Sequence, residues 1–291
     1  MTPDWGAIES EHRGLAVDSA RVIGEGWTSH AWLVNEELVF RFPKRDDDWK
    51  TLRTEIAFLR SAADDLPLAV PRYTHVAQQS RAAAHGYAVY RYVPGSAMDV
   101  SALNERQRAT AAEAIATFLR SLHGLQPRAD VAALLPREDP RVVAEHYFAR
   151  TTREIAPTLE PCEAARLVEQ FETYLSTPEN VSFQPVVLHA DFSREHILMD
   201  DSVVSGVIDF EDVNWGDPDY DFMYLFVDFG HAFVEDTARR YGHPNVEQLR
   251  GKLHYFALVD QIQTILDGSG RALEGQEDDA WRRLKRLLRQ A

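Results

Sequence analysis

Two short stretches of the chain carry carboxylates in a form suited to chemistry. In the first, Val186-Val187-Leu188 runs into His189-Ala190-Asp191-Phe192-Ser193-Arg194-Glu195-His196, followed by Ile197-Leu198-Met199. In the second, Gly206-Val207-Ile208 runs into Asp209-Phe210, and Asp209 follows Asp191 by 18 positions. Each is an apolar run of β type that ends in a turn bearing an aspartate. A single His-x-Asp or Ile-Asp-Phe arises easily by chance. The two together, at this spacing, have the layout of phosphoryl transfer, in which one carboxylate orients an attacking hydroxyl and another holds Mg²⁺. Such chemistry asks the protein mainly for positioning and charge stabilisation, so the elements around the two aspartates matter as much as the aspartates.

Those elements divide by type. Residues 21–26, 30–34 and 38–42 are consecutive β-type runs, separated by Gly24-Glu25-Gly26-Trp27-Thr28-Ser29 and by the polar turn Asn35-Glu36-Glu37. Leu52, Ile56, Leu59 and Ala63 recur at helical spacing and place Glu55 beside the buried face of a helix over 49–63. Residues 71–93 read as two more strands. From Asn104 the pattern turns helical: Ala109, Ala112, Ala116, Leu119 and Leu122 share a face, and Gly124 is placed to end that helix. Further helices are expected over 140–176, 220–241, 246–266 and 275–289, with no repeat, low-complexity tract or long linker. The predicted class is α+β, with an N-terminal β-rich lobe over 1–93, a linker over 94–101 and a larger helical lobe over 102–291.

Composition narrows the partners. The 291 residues are 45% apolar and 26% charged, ordinary for a soluble globular protein. The net charge of −15, from 31 basic and 46 acidic residues, repels nucleic acid and anionic lipid and suits a cationic small molecule. The one cysteine, Cys162, is expected to be a buried filler in a reducing compartment. Neither a signal-peptide pattern nor an apolar run long enough for a membrane span occurs, so the expectation is a cytoplasmic protein; a monomer is expected, with no residue pattern that fixes the oligomeric state.

The loop around Asp191 resembles the catalytic loop of the aminoglycoside phosphotransferase family, antibiotic kinases that share the protein-kinase fold. The family's usual loop reads His-Gly-Asp-x-x-x-x-Asn. Here Ala190 stands for the Gly, a change that matters if the position needs positive φ. His196 stands for the Asn, and imidazole is a softer metal ligand than an amide oxygen. The form Asp-x-Ser-x-x-His is similar to the branch that phosphorylates the 2″ hydroxyl of gentamicin- and kanamycin-type antibiotics, and macrolide kinases also place His there. Gly216-Asp217-Pro218-Asp219-Tyr220-Asp221 matches the family's Gly-Asp-Pro-x-x-Asp.

The resemblance implies a bilobal protein-kinase-like fold with a small antiparallel N-lobe, a mainly helical C-lobe, Mg²⁺, and GTP or ATP as phosphoryl donor. Carried over by position, Asp191 orients the substrate hydroxyl, His189 props the loop, and Asp209 and His196 serve the metal. Gly24, Gly26, Thr28 and Ser29 lie where a loop would cover phosphates. Arg41 occupies the expected lysine register, with Lys44 as the fallback, and Glu55 is the expected partner of that base. Tyr90, Arg91, Tyr92 and Val93 fall where the interlobe hinge would meet the nucleobase, a tyrosine at position 90 going with guanine in this branch, although Tyr90 reads equally well as core packing. Asp217 reads as a helix N-cap followed by Pro, a loop-supporting role.

A polyamine acceptor needs several carboxylates in place of its hydration. Glu211 and Asp212 beside the metal motif, and Asp228, Glu235, Asp236 and Asp260 in the helical lobe, are the candidates. A macrolide would want a more apolar pocket, and a choline- or homoserine-like acceptor an aromatic cage, for which Trp215 is available. The reading from another class is a non-catalytic nucleotide-binding scaffold of the same fold.

Overall fold

The structure is a computed structural model, and it describes residues 2–12, 14–268 and 275–290. In chain order the elements are α1 (Trp5–Glu11), β1 (Ala20–Glu25), β2 (Ser29–Val34), β3 (Leu38–Pro43), α2 (Asp48–Ala62), β4 (Tyr73–Ala77), β5 (Tyr87–Arg91), β6 (Ser96–Ala97), α3 (Glu105–His123), α4 (Ala129–Ala132), α5 (Pro140–Arg150), α6 (Pro161–Ser176), α7 (Pro178–Val181), β7 (Val186–Leu188), β8 (Ile197–Asp200), β9 (Val203–Val207), β10 (Asn214–Gly216), α8 (Met223–Tyr241), α9 (Val246–Asp267) and α10 (Gln276–Gln290). The chain has the kinase-like α+β fold expected from the sequence. Two compact units form: the first takes residues 1–98, 125–135 and 195–213, the second residues 99–124, 136–194 and 214–291.

In the first unit an antiparallel sheet runs in the order β1-β2-β3-β5-β4. β3 lies in its middle, paired on both edges, and because both of its faces are also covered it is a near-continuous buried run. Phe40 and Phe42 point to one face, where they form a core with Ile8, Val34, Tyr87 and Val89. The short α1, capped by the Asp4 side chain accepting from the Ala7 N–H at 3.1 Å, brings Ile8 and Trp5 there. The period of two then sends Arg41 to the opposite face. On α2 the buried positions include Leu52, Ile56, Phe58 and Leu59, as the helical spacing requires.

The division of the chain differs from a single boundary near residues 93–101. β8 pairs with both β9 and the two-residue β6, and Ala69 bridges Gly206, donating to the Ser205 carbonyl at 3.2 Å and accepting from the Val207 N–H at 2.8 Å. A Cβ on Gly206 would stand 2.8 Å from Val93 Cγ1 and 3.0 Å from the Ala69 carbonyl, so glycine is what allows this approach. Residues 195–213 therefore build the first unit although they come late in sequence.

In the second unit α3 packs along α8, α8 along α9 and α9 along α10. α3 begins with a capping box, Asn104 accepting from Gln107 N–H and Gln107 from Asn104 N–H, both at 2.9 Å. Gly124 ends it as expected, but in right-handed conformation at φ −82°. α8 is interrupted at Gly230, φ 80° and ψ 175°. Cys162 is exposed, not buried as expected, because it opens α6 on the solvent side. Among the described residues no helix is long and apolar enough to cross a membrane.

Candidate active site

The first unit gathers its charges around Arg41. This residue is 6% exposed. Its Nε and Nη2 donate to Ser29 Oγ at 2.9 and 2.8 Å, Nη2 also donates to Glu211, and Asp209 Oδ1 lies 3.6 Å away. Glu211 in turn accepts from the hydroxyls of Thr28 and Ser29. β9 delivers Asp209 onto a left-handed turn at φ 66°, a conformation aspartate tolerates better than most residues. His196 Nε2 stands 3.4 Å from Asp209 Oδ2.

Glu55 completes the cluster from α2. It is 0% exposed, and neither carboxylate oxygen accepts a well-formed hydrogen bond. One oxygen each from Glu55, Asp209 and Glu211 fall within 4.8 Å of one another. Burial, helped by the charges of Glu211 and Asp209, outweighs the pull of Arg41 and leaves the Glu55 carboxyl pushed up to about 8. Burial also disfavours the Arg41 cation, but Glu211, Asp209 and Glu55 outweigh that and hold it charged.

The second unit presents Asp191. β7, paired antiparallel to β10, carries the chain to His189, which is 0% exposed. The turn then passes through Ala190 at φ 66°, so this position does need the left-handed conformation that a glycine would adopt freely. Asp221 holds it there: Oδ2 accepts from the His189 N–H at 3.0 Å and Oδ1 from the Ala190 N–H at 2.8 Å. His123 Nε2 lies 3.0 Å from Asp221 Oδ2, and its Nδ1 lies 2.9 Å from the Tyr241 hydroxyl. Phe192 stacks on Phe118 at 5.7 Å, and the His189 ring stands edge-on to Phe192 at 5.5 Å. His189 Nδ1 accepts from the Asp191 N–H at 3.3 Å, a loop-supporting geometry. Asp191 itself is partly exposed. Its charge reaches Tyr224, whose hydroxyl donates to Asp260 Oδ1 at 2.8 Å and is held well above the usual tyrosine range by burial, then by Asp260, Tyr220 and Asp191.

Several expectations change. Arg41 is not within ion-pair distance of Glu55; its partners are Glu211 and Asp209, because Glu211 reaches Arg41 and the Thr28–Ser29 hydroxyls at once. Glu55 lies inside the buried face of α2, not beside it. Glu211, expected beside an acceptor, is engaged by Arg41, Thr28 and Ser29. Lys44 stands 3.6 Å from Glu25, beside the loop that Gly26 closes by donating to the Ser29 carbonyl at 3.0 Å; Gly24 sits at the bulge of β1. Tyr90 is 5% exposed, its ring edge-on to Tyr73 at 5.1 Å, and burial raises its hydroxyl. Arg91 is exposed, the Tyr92 N–H donates to the Glu37 carbonyl at 2.7 Å, and Val93 is buried.

Of the expected acceptor carboxylates, Asp260 stands beside Tyr224, with burial raising its carboxyl, and Asp228 accepts from the Arg194 N–H at 2.8 Å. Glu235 is taken by Arg250 and by Arg239 at 3.0 Å, and Asp236 by Arg240 at 2.9 Å, all through neighbours on α8 and α9. Asp212 is exposed. Asp217, Asp219 and Asp221, three of the five carboxylates crowded between 211 and 221, are engaged internally. Sequence reasoning passed over His123, Tyr224 and Lys252. Only His123 left a signal: it continues the apolar stripe of Ala112, Ala116 and Leu119 at a position where a polar residue needs a buried partner.

The first unit thus gathers Arg41 with three carboxylates, and the second braces Asp191 on a strand-end turn. The model of the phosphotransferase enzyme family matches residues 19–253, and the chain belongs to that family. Among solved structures, the GDP complex of wild-type aminoglycoside 2'-phosphotransferase-IIIa superimposes with a TM-score of 0.91 at 23% identity, over 98% of this chain and 97% of that one. The streptomycin-ATP-APH(2")-IIa ternary complex gives 0.78 at 22% identity, over 98% and 97%. A macrolide 2'-phosphotransferase, MphH from Brachybacterium faecium, gives 0.74 at 20% identity, over 95% of both chains.

Proposed function

We propose that the protein moves the γ-phosphoryl group of GTP or ATP to a hydroxyl of a cationic small molecule, an aminoglycoside of the 2″-modified type. The observation that carries this reading is the Asp191 turn: a partly exposed carboxylate whose backbone is fixed in left-handed conformation by the buried Asp221. Asp191 would accept or orient the proton of the acceptor hydroxyl, and Asp260 with Tyr224 would meet an ammonium group beside it.

The Arg41 cluster suits a divalent cation. Its donors are hard carboxylate oxygens, three of them within 4.8 Å, and Glu55 is buried without a hydrogen bond. Asp209, with His196 beside it, would hold Mg²⁺, Glu211 would add charge behind it, and Glu55 would do so once it gives up its proton. A divalent ion held by these carboxylates would supply positive charge to a phosphoryl group in transfer. Arg41, kept charged, would offer a guanidinium to the phosphates.

Purified protein with Mg²⁺, GTP or ATP and a panel of aminoglycosides tests the proposal. Drug-dependent nucleotide turnover is expected, and Asp191→Ala lowers kcat by roughly three orders of magnitude or more while nucleotide affinity stays nearly unchanged. Turnover equal to wild type in that variant would defeat the assignment, and no turnover with any acceptor would leave the non-catalytic scaffold ahead. One observation favours a macrolide as second reading: Glu235 and Asp236 are already neutralised by arginines, which leaves fewer carboxylates for a polyamine. Including macrolides in the panel decides between them.

A further inference from the structure

Lys252 on α9 is 8% exposed, an unusual place for an ammonium group. Its Nζ lies 2.5 Å from Asp217 Oδ2 and 2.8 Å from Asp219 Oδ2, above the rings of Phe183 and Phe256 at 5.6 and 5.9 Å. Asp219 is gripped from its other side, Oδ1 lying 2.9 Å from His243 Nε2. Burying a lysine between two carboxylates costs desolvation that an apolar side chain of similar volume would avoid. Packing alone therefore gives no reason for the charge.

The charge is used in the turn that follows. Asp217 caps the 3-10 helix Pro218–Phe222, its Oδ1 accepting from the Asp219 N–H at 3.1 Å and its carbonyl from the Tyr220 N–H at 2.9 Å. With Oδ1 on the backbone and Oδ2 on Lys252, the Asp217 carboxylate has one orientation. Two residues beyond Asp219 on the same turn comes Asp221, whose two oxygens receive the N–H groups of His189 and Ala190. Ala190 keeps its left-handed φ of 66° only while something holds it, and the next residue is Asp191. Without the ammonium, Asp217 and Asp219 would repel each other in a buried turn, and burial already pushes the Asp217 carboxyl up to about 6.

We propose that Lys252 is a positioning residue for phosphoryl transfer: locked between Asp217 and Asp219, it fixes the 217–222 turn, and through Asp221 it sets the aim of Asp191. The proposal rests on the reading of Asp191 given above. It reaches the reaction through backbone geometry, not through contact with nucleotide or acceptor.

The test uses the full chain carrying Lys252→Met, Lys252→Arg or Asp219→Asn, with two readouts. Amide hydrogen exchange of the segment 186–194 reads the brace directly, and kcat with nucleotide KM reads its effect on turnover. Lys252→Met is expected to speed exchange in that segment roughly tenfold or more and to lower kcat by about tenfold to a hundredfold, with nucleotide KM within about twofold. Lys252→Arg, which keeps the charge, restores most of both. Asp219→Asn, which leaves the Lys252–Asp217 pair, shows the same changes at smaller size and serves if Lys252→Met fails to fold. A lowered melting temperature with unchanged exchange over 186–194 in the folded variants would make Lys252 a packing residue and overturn the proposal. Exchange needs no acceptor, so faster exchange in a protein without phosphotransferase activity would retain the brace and sink the role of Asp191 instead.

Discussion

The two units each bury a network of acids and bases, and the networks differ in how they balance. Around Arg41, one guanidinium faces three carboxylates, and Glu55 sits among them with no hydrogen bond. Around Asp221 and Lys252, every carboxylate oxygen named above meets an N–H, an imidazole or an ammonium. The second network is closed upon itself, as a scaffold should be, because a half-satisfied buried network costs more than an apolar core. The first carries surplus negative charge, the condition for attracting a divalent cation.

Breaking the closed network should have the largest effect. Asp221→Ala strands two backbone N–H groups and one imidazole, each worth about 1–3 kcal/mol, so a loss of roughly 3–9 kcal/mol is expected in urea unfolding. A loss below about 1 kcal/mol would show that the loop is held by other contacts.

The surplus in the open network gives a pH dependence of known sign. Glu55 titrates at about 8 in the folded chain against 4.5 for the free side chain, so between those values the folded state holds the extra proton. Stability therefore falls as pH rises from about 4.5 to 8, by a few kcal/mol, and Glu55→Gln removes that slope. Melting curves of both proteins at pH 5 and pH 8 check this, and equal slopes would contradict it. Mg²⁺ should raise the wild-type melting temperature more at pH 8 than at pH 5, since the metal competes with the proton.

Strain in the closed network predicts a smaller gain. Ala190→Gly relieves a left-handed alanine and, net of the added freedom of the unfolded chain, should stabilise by about 0.5–1 kcal/mol. The smallest effect is expected outside both networks. Glu235→Gln breaks ion pairs with Arg239 and Arg250 that solvent screens, so stability should change by less than about 0.5 kcal/mol and acceptor KM by less than about twofold. A clear rise in KM would return Glu235 to the acceptor site.

Much of this was legible in the residues. The β-type runs over β2 and β3 and the 3.6-residue period over α2 and α3 marked the elements, and apolar runs ending in aspartate marked both turns. What stayed hidden depends on partners distant in sequence. Glu55 borders the apolar stripe of α2, and whether such a residue turns in or out depends on Arg41, 14 positions earlier on another strand. Lys252 lies in a helix with little amphipathic contrast, and its partners are 33 and 35 positions away. The two-residue β6 carries no pattern of its own, so the pairing that draws β8 and β9 into the first unit leaves no local mark.

That late excursion of residues 195–213 has a consequence for dissecting the molecule. A gene cut near codon 98 would encode a front fragment missing two strands and the Asp209 turn, and a back fragment whose β8 and β9 have each other but neither β6 nor Ala69 to pair against. Neither half should fold alone, whereas co-expression of the two fragments should reconstitute the whole by strand complementation.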